Sequence, residues 1–214
     1  VIFTSFEHYF NDVFKIYTMN QKREGAKFYI LQHGHQGLNN FCLNYYEEKI
    51  CNKYFSWGGV KNNNKNISPL FCPTTIGKTV KKNIKKDILL SYTEFNLKPW
   101  KFMLLPNSLE ETKIYKDDIL KLLSFLNKNF KKKITLKYNT SDGIKYTTNE
   151  IKKRFKNLDF IQTNLKKRGF EYSNEYKLNI ETTNSTGFIE LLSLNIPVIL
   201  VTNNKFYDPK KEYK

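Results

Sequence analysis

The sequence is poor in cysteine, and it has no long apolar run. Cys42, Cys51 and Cys72 form no CxxC pair, and their spacing fits neither a zinc site nor a disulfide framework. We therefore expect free thiols and a reducing, cytoplasmic setting. No apolar run approaches the roughly 18–20 residues that a membrane-spanning helix needs.

Acidic residues are scarce beside basic ones, at 20 Asp and Glu against 36 Lys and Arg, which gives a formal charge of +16. Such a charge suits nucleic acid, anionic lipid or a phosphorylated ligand. An AT-rich coding sequence also explains it, because Lys, Asn, Ile, Tyr and Phe are in excess while Gly and Pro are few. The basic runs are scattered, and none interleaves with aromatic residues as a base-stacking surface would. We expect no nucleic-acid partner, although a basic nucleic-acid-binding protein, an inactive scaffold or a truncated gene product stays open as an alternative.

Strand and helix patterns alternate along the first part of the chain. VIFTS (1–5) and KFYILQ (27–32) are typical of buried strands. Between them, apolar residues recur at helical spacing, and Gly25 is expected just past the helix end. This order predicts a βαβ unit with a parallel sheet. The apolar face of the helix is predicted to consist of Phe6, Tyr9, Phe10, Val13, Phe14 and Tyr17.

A Lys- and Asn-rich segment divides the chain. Residues 1–62 are predicted to be the later part of an N-terminal Rossmann-like, acceptor-side domain, 63–86 an exposed linker, and 87–214 a donor-binding Rossmann-like domain that is truncated. After the linker, DILLSYTE (87–94) opens a second series of alternating strands and helices. The predicted fold class is α/β, with two doubly wound domains facing a cleft, both incomplete. Such a cleft is the usual ligand site.

The HGHQG loop at 33–37 follows the predicted strand 27–32. In open α/β sheets, ligand-binding groups lie where strands end in loops. Gln32, Gly34 and His35 are therefore candidate substrate-binding residues. His33 is a candidate general base or hydrogen-bond donor near neutral pH, or simply a loop histidine that caps a carbonyl. The HxH pair lacks an acidic or cysteine partner nearby, so we expect no metal.

Two further strand ends carry candidate binding groups. Asn184, Ser185, Thr186 and Gly187 precede or open a predicted helix, whose amide-rich N-terminus favours a phosphate by roughly 0.3–1 kcal/mol. An ordinary capped helix explains the same pattern. Thr93 and Glu94, at the end of the predicted strand 87–94, could accept hydroxyls of a sugar or ribose, or else form an exposed turn. Trp57 and Trp100 could stack on a sugar or base, or else be buried in the core.

Several of these segments resemble a transferase family encoded in bacterial surface-carbohydrate (O-antigen type) gene clusters. That family has a strand ending in QHGG, an I-x-D-x-F-x-x-W-G segment, a strand ending in T-E, and a late N-S-T-x-x-x-E-x-L-x-x-N-x-P-x-I segment. The counterparts are Gln32, His33, Gly34, Ile50, Phe55, Trp57, Gly58, Thr93, Glu94, Asn184, Ser185, Thr186, Glu190, Leu192, Asn195, Pro197 and Ile199. Departures from the pattern are His35, Asn52, Gly59, and Lys137, Tyr138 and Asn139 in place of an Arg-Tyr-Pro segment.

The late segment is also similar to the donor-binding helix of GT-B glycosyltransferases. The resemblance implies sugar transfer from a nucleotide sugar, without a cofactor or metal, to a glycan or lipid-linked acceptor. It places the phosphates at 184–187 and a ribose or sugar hydroxyl on Glu190, with His33 as the acceptor-side base or a donor-orienting group. It also implies a cytoplasmic protein that associates peripherally with the inner face of the membrane.

Overall fold

The computed structural model describes residues 1–34, 44–58, 65–80, 84, 86–94, 109–130, 133–140, 146–163 and 167–203. The chain divides into two compact units, residues 1–78 and residues 79–206. His35, Cys42, Gly59 and Trp100 lie outside the described residues. Among the described helices, none is both long and apolar enough to cross a membrane.

The first unit contains a four-stranded parallel sheet. Its elements are β1 (Ile2–Thr4), α1 (Glu7–Phe10), α2 (Asp12–Arg23), β2 (Phe28–Leu31), α3 (Asn44–Ile50), β3 (Lys53–Trp57) and β4 (Ile67–Leu70). The strand order is β1-β2-β3-β4, and every pair is parallel. The core lies between sheet and helices and consists mainly of Ile2, Phe28, Ile30, Cys51 and Tyr54. Burial raises the pKa of the Cys51 thiol to about 11, which keeps it protonated at neutral pH.

The single apolar helix face predicted over residues 6–17 is wrong. The helix breaks at Asn11, whose side chain accepts a hydrogen bond from the Phe14 amide and so caps α2. Of the predicted face, Phe14 packs against the core, while Phe6, Phe10, Val13 and Tyr17 are exposed. The predicted helix end is confirmed: Gly25 has φ +94°, and its amide and the next one bond back to Lys22 and Gln21 carbonyls.

The predicted linker 63–86 also needs correction. Residues Ile67–Leu70 form β4, which pairs with β3, and a 3₁₀ turn follows at Pro73–Thr75. Cys72 and Thr75 are buried. The sequence does not predict this strand, because it contains Pro69 and follows an Asn-rich segment. Proline is compatible with an edge strand but not typical of one.

The second unit contains a five-stranded parallel sheet. Its elements are β5 (Lys86–Glu94), α4 (Leu109–Asn129), β6 (Ile134–Thr140), α5 (Tyr146–Arg154), β7 (Asp159–Gln162), α6 (Gly169–Ser173), β8 (Tyr176–Glu181), α7 (Thr186–Ser193) and β9 (Val198–Leu200). The strand order is β7-β6-β5-β8-β9. The predicted α/β class with parallel sheets is therefore confirmed.

The two faces of this second sheet differ in chemistry. One face packs apolar strand residues against α4 and α5, with Leu90, Leu136, Leu123 and Ile151 fully buried. The other face carries a buried polar row across three strands, because Lys137, Ser91 and Glu181 share one register. Lys137 Nζ lies 3.4 Å from Glu181 Oε1 and 3.4 Å from the Ser173 hydroxyl of α6. Directional contacts therefore hold α6 to the sheet.

Helix α7 ends in a Schellman turn. Asn195 has φ +54°, its amide donates to the Leu192 carbonyl, and the Ile196 amide donates to the Leu191 carbonyl. Ile196 and Leu191 are buried together, which is the apolar contact that accompanies this turn. The chain then enters β9 at once, and the Pro197 carbonyl accepts a hydrogen bond from the Asn179 amide.

Candidate functional site

In the first unit, Gln32 uses its side chain to join two strand ends. Its Oε1 accepts a hydrogen bond from the Trp57 amide (2.8 Å), and its Nε2 donates to the Gly34 carbonyl (2.7 Å). Gly34 has φ +62°, a conformation that favours glycine. Gln32 and Gly34, both predicted to bind substrate, are buried and shape the turn.

His33 projects from this turn and is exposed. Its ring lies against Phe6, with centroids 4.8 Å apart. Desolvation lowers the pKa of His33, while the nearby charge of Glu47 raises it and that of His8 lowers it. The net direction is downward, so the imidazole is neutral at pH 7 and can accept a proton.

A buried cluster beside His33 was not predicted from the sequence. His8 Nε2 lies 2.6 Å from Glu47 Oε1, and the Tyr9 hydroxyl donates to the same oxygen at 2.7 Å. Glu47 is fully buried and His8 nearly so. Glu47 belongs to α3, 39 residues after His8, so only the fold brings the pair together.

In the second unit, strand order makes the ends of β5 and β8 the candidate position for a ligand site. From β5 the chain continues through β6 and β7 to one side, whereas β8 and β9 lie on the other side. This reversal is a topological switch point, and ligands of open α/β sheets bind at the carboxyl ends of the strands there. Those ends carry Thr93 and Glu94 on β5 and the 182–187 segment after β8.

A hydroxyl network ties the two strand ends together. The Thr93 amide donates to the Tyr115 hydroxyl (3.0 Å), which lies 2.6 Å from the Thr182 hydroxyl. Thr182 in turn donates to the Ser91 carbonyl. The Glu94 carboxylate accepts bonds from the amides of Thr147 and Thr148 and from the Thr148 hydroxyl, and so caps α5. Its predicted contact with a ligand stays a prediction.

The N-terminus of α7 presents polar groups at this switch point. Ser185 is the N-cap residue, yet its side chain makes no capping hydrogen bond. Asn184 is buried, and Ser185, Thr186 and Gly187 are partly exposed. One turn further on, Glu190 is buried, and its Oε1 lies 4.0 Å from Nη1 of Arg168. Arg168 is a basic residue at this site that the sequence reading missed.

The sequence profile of the LIC12162 family of transferases matches residues 1–214, the whole chain. The chain belongs to this family. The resemblance to a transferase family is thereby confirmed, while the link to surface-carbohydrate clusters stays a prediction. No curated protein matches the sequence.

Solved structures that resemble this LIC12162 family member include the following two. One is TarM, at 13% identity and a TM-score of 0.50, covering 86% of this chain and 38% of TarM. The other is Acinetobacter baumannii MurG, at 9% identity and a TM-score of 0.43, covering 78% of this chain and 42% of MurG. The chain thus spans well under half the length of either protein. The likeness to TarM shows the α/β fold with two parallel sheets.

Removing the charge of Glu47 is expected to lower the pKa of His33 further. The Glu47 carboxylate favours the protonated imidazole, and Glu47→Gln retains an oxygen that can accept from His8 and Tyr9. In an NMR titration, the His33 midpoint should therefore move to lower pH than in the parent chain. Glu24→Gln, an exposed carboxylate at the end of α2, should leave the midpoint in place. An unchanged or raised midpoint in Glu47→Gln would contradict the proposed electrostatic coupling.

Proposed function

We propose that this chain forms part of a GT-B-like glycosyltransferase that moves a sugar from a nucleotide sugar to a cell-surface glycan or lipid-linked acceptor. Membership of a transferase family and the GT-B-type fold support this reaction class. The observation that carries the proposal is the start of α7 at the switch point of the second sheet. There the Ser185 hydroxyl is not used to cap its own helix.

In this proposal the donor diphosphate lies at residues 184–187. The helix N-terminus and its amides favour negative charge, and this matters most as the leaving diphosphate develops. Glu190, buried one turn later, accepts hydrogen bonds from a ribose or sugar hydroxyl. Arg168, close to Glu190, adds a positive charge at the same end of the sheet. No metal or cofactor is assigned to this step.

His33 of the first unit takes the acceptor side. A neutral imidazole can remove the proton from an acceptor hydroxyl as the new glycosidic bond forms, while the bond from the sugar to the diphosphate breaks. Its lowered pKa keeps the base form present at pH 7.

The proposal is tested by calorimetry with a panel of nucleotide sugars. The double variant Ser185→Ala/Thr186→Ala is expected to bind the donor at least about 100-fold more weakly, because two hydroxyl bonds to a charged phosphate contribute about 1.5–3 kcal/mol each. Its melting temperature should stay close to that of the parent, since Ser185 makes no capping bond.

Ser193→Ala, at the other end of α7, is the matched control and should bind as the parent does. Its hydroxyl donates to the Glu190 carbonyl within the helix. A DNA titration over a range of salt is run alongside, since the alternative basic nucleic-acid-binding function predicts affinity that falls steeply with salt. Failure of every nucleotide sugar to bind, or equal binding by the double variant, would refute the assignment.

A further inference from the structure

The first unit holds a cavity of about 570 Å³ between α2, α3 and the start of β2. This volume is within the usual range for small-molecule sites. The lining is mostly apolar and includes Phe14, Met19, Phe28 and Ile50. None of the residues to which the proposed function assigns a role lines this cavity. A molecule bound here would therefore be a ligand other than the sugar donor.

Two buried polar side chains of the lining lack a hydrogen-bond partner among the described residues. They are the Thr18 hydroxyl and Nδ1 of His8, and the two residues are only 6% and 5% exposed. Nε2 of His8 contacts the Glu47 carboxylate, which can only accept, so Nδ1 of the neutral ring is an acceptor. A ligand hydroxyl that bonds to these two atoms would recover the free energy that unmade buried hydrogen bonds cost.

Two basic side chains line the same cavity at its solvent-facing end. Lys22 and Arg23 both contribute to the wall, and both are exposed. Lys22 donates to the Ile50 carbonyl, and in the part of the chain that the structure describes no carboxylate forms an ion pair with Lys22 or Arg23. An anionic group at this end would meet two positive charges without giving up contact with water.

The order of the lining residues along α2 limits what fits. Phe14, Thr18 and Lys22 follow one another at four-residue steps, so they lie on the same side of the helix. Thr18 is about 6 Å from Lys22 along the helix axis. A molecule that reaches from one to the other needs a polar group at each end and an apolar body between them. A hydrocarbon chain would leave Thr18 and His8 unpaired, and a sugar would not match the apolar wall.

We propose that this cavity binds a small hydroxylated aromatic acid. The ring packs against the apolar wall, and the acid group rests between Lys22 and Arg23. The hydroxyl group donates to Nδ1 of His8 and also contacts the Thr18 hydroxyl. The inference goes beyond the proposed function and does not depend on it.

Calorimetry with three related molecules tests the proposal in the absence of nucleotide sugar. 4-Hydroxyphenylacetate carries the ring, the hydroxyl and the acid, phenylacetate lacks the hydroxyl, and 4-hydroxyphenylacetamide lacks the charge. The chain should bind 4-hydroxyphenylacetate about twofold to tenfold more tightly than phenylacetate, and about tenfold more tightly than the amide. No binding of 4-hydroxyphenylacetate, or equal binding of all three, would overturn the proposal and leave nucleotide-sugar binding as a separate result.

Two variants connect these preferences to their residues. Thr18→Val removes the hydroxyl but nearly keeps the shape, so the preference for 4-hydroxyphenylacetate over phenylacetate should fall about twofold to fivefold. Its melting temperature should not fall, because the Thr18 hydroxyl has no bond to lose within the described structure. Arg23→Gln should reduce only the preference for the acid over the amide. Arg154→Gln, an exposed arginine of α5, is the matched control and should change neither preference.

If Thr18→Val and Arg23→Gln kept both preferences in full, the acid would bind elsewhere and the assignment would be wrong. NMR of the histidine rings gives an independent readout of the buried contact. The His8 ring signal should shift on addition of 4-hydroxyphenylacetate, and it should shift less with phenylacetate. An unchanged His8 signal at saturating 4-hydroxyphenylacetate would contradict the contact between the ligand hydroxyl and Nδ1.

Discussion

Replacing Glu94 with alanine is expected to lower the free energy of unfolding by about 3–5 kcal/mol. The buried Glu94 carboxylate accepts two backbone amides and one hydroxyl at the start of α5, and these donors have no substitute acceptor after truncation. Hydrogen bonds to charged groups contribute about 1.5–3 kcal/mol each, and they are not fully additive. Urea unfolding followed by circular dichroism measures the difference.

Two variants separate this cap from a general effect of removing a carboxylate. Glu94→Gln retains an acceptor oxygen and should lose clearly less stability than alanine. Glu110→Ala removes an exposed carboxylate from the first turn of α4, where the cost should be about 0.3–1 kcal/mol. If Glu94→Ala were as stable as Glu110→Ala, the capping role would be refuted, and a ligand role for Glu94 would become the better explanation.

Breaking the buried Lys137–Glu181 pair from one side is expected to cost about 3–5 kcal/mol. Both side chains are almost entirely buried on the polar face of the second sheet, at 9% and 6% exposure. Glu181→Gln leaves the Lys137 ammonium buried without a counter-charge. Lys137→Met leaves the carboxylate in the same position. Each single variant is measured by chemical unfolding.

The double variant Lys137→Met/Glu181→Gln should lose much less than the sum of the two single losses, because it buries no net charge. The exposed pair between Lys133 and Asp159 provides the comparison, and its double-mutant cycle should give a much weaker coupling, because solvent screens both charges. Additive losses for Lys137 and Glu181 would show that the two charges do not depend on each other.

The sequence predicts the second unit better than the first, for physical reasons. DILLSYTE has a clear apolar run between polar residues, and its strand is found as β5. The apolar residues of α4 recur at helical spacing, and the structure has a helix there. Around Asn11 the apolar residues keep a helical spacing although the helix breaks there. The break comes from the Asn11 side chain, which caps α2, and the spacing of apolar residues carries no information about such a cap. Strand β4 carries Pro69 and little alternation, so nothing local marks it.

Parts of the candidate site that depend on local sequence signals are also predicted better than parts that depend on long-range contacts. The sequence predicts the end of β5 near Thr93 and the start of α7 at Ser185, because turn residues and helix caps are local signals. The contact of His8 with Glu47 cannot be predicted from the sequence, since it joins residues far apart in the chain. Likewise the sequence presents Gln32 as a possible ligand contact, and only coordinates show its amide joining β2 to β3.

The turn at Asn195 alters what a match to the late family segment means. Asparagine there lets the backbone reverse with a positive φ, and the Pro197 carbonyl fastens the outgoing chain to Asn179. Two residues of that segment, Asn195 and Pro197, therefore determine the path of the backbone after α7. A homologue without catalytic activity could retain both residues, because the backbone turn needs them. A match at these two positions is therefore evidence for the same fold and not, by itself, for the same reaction.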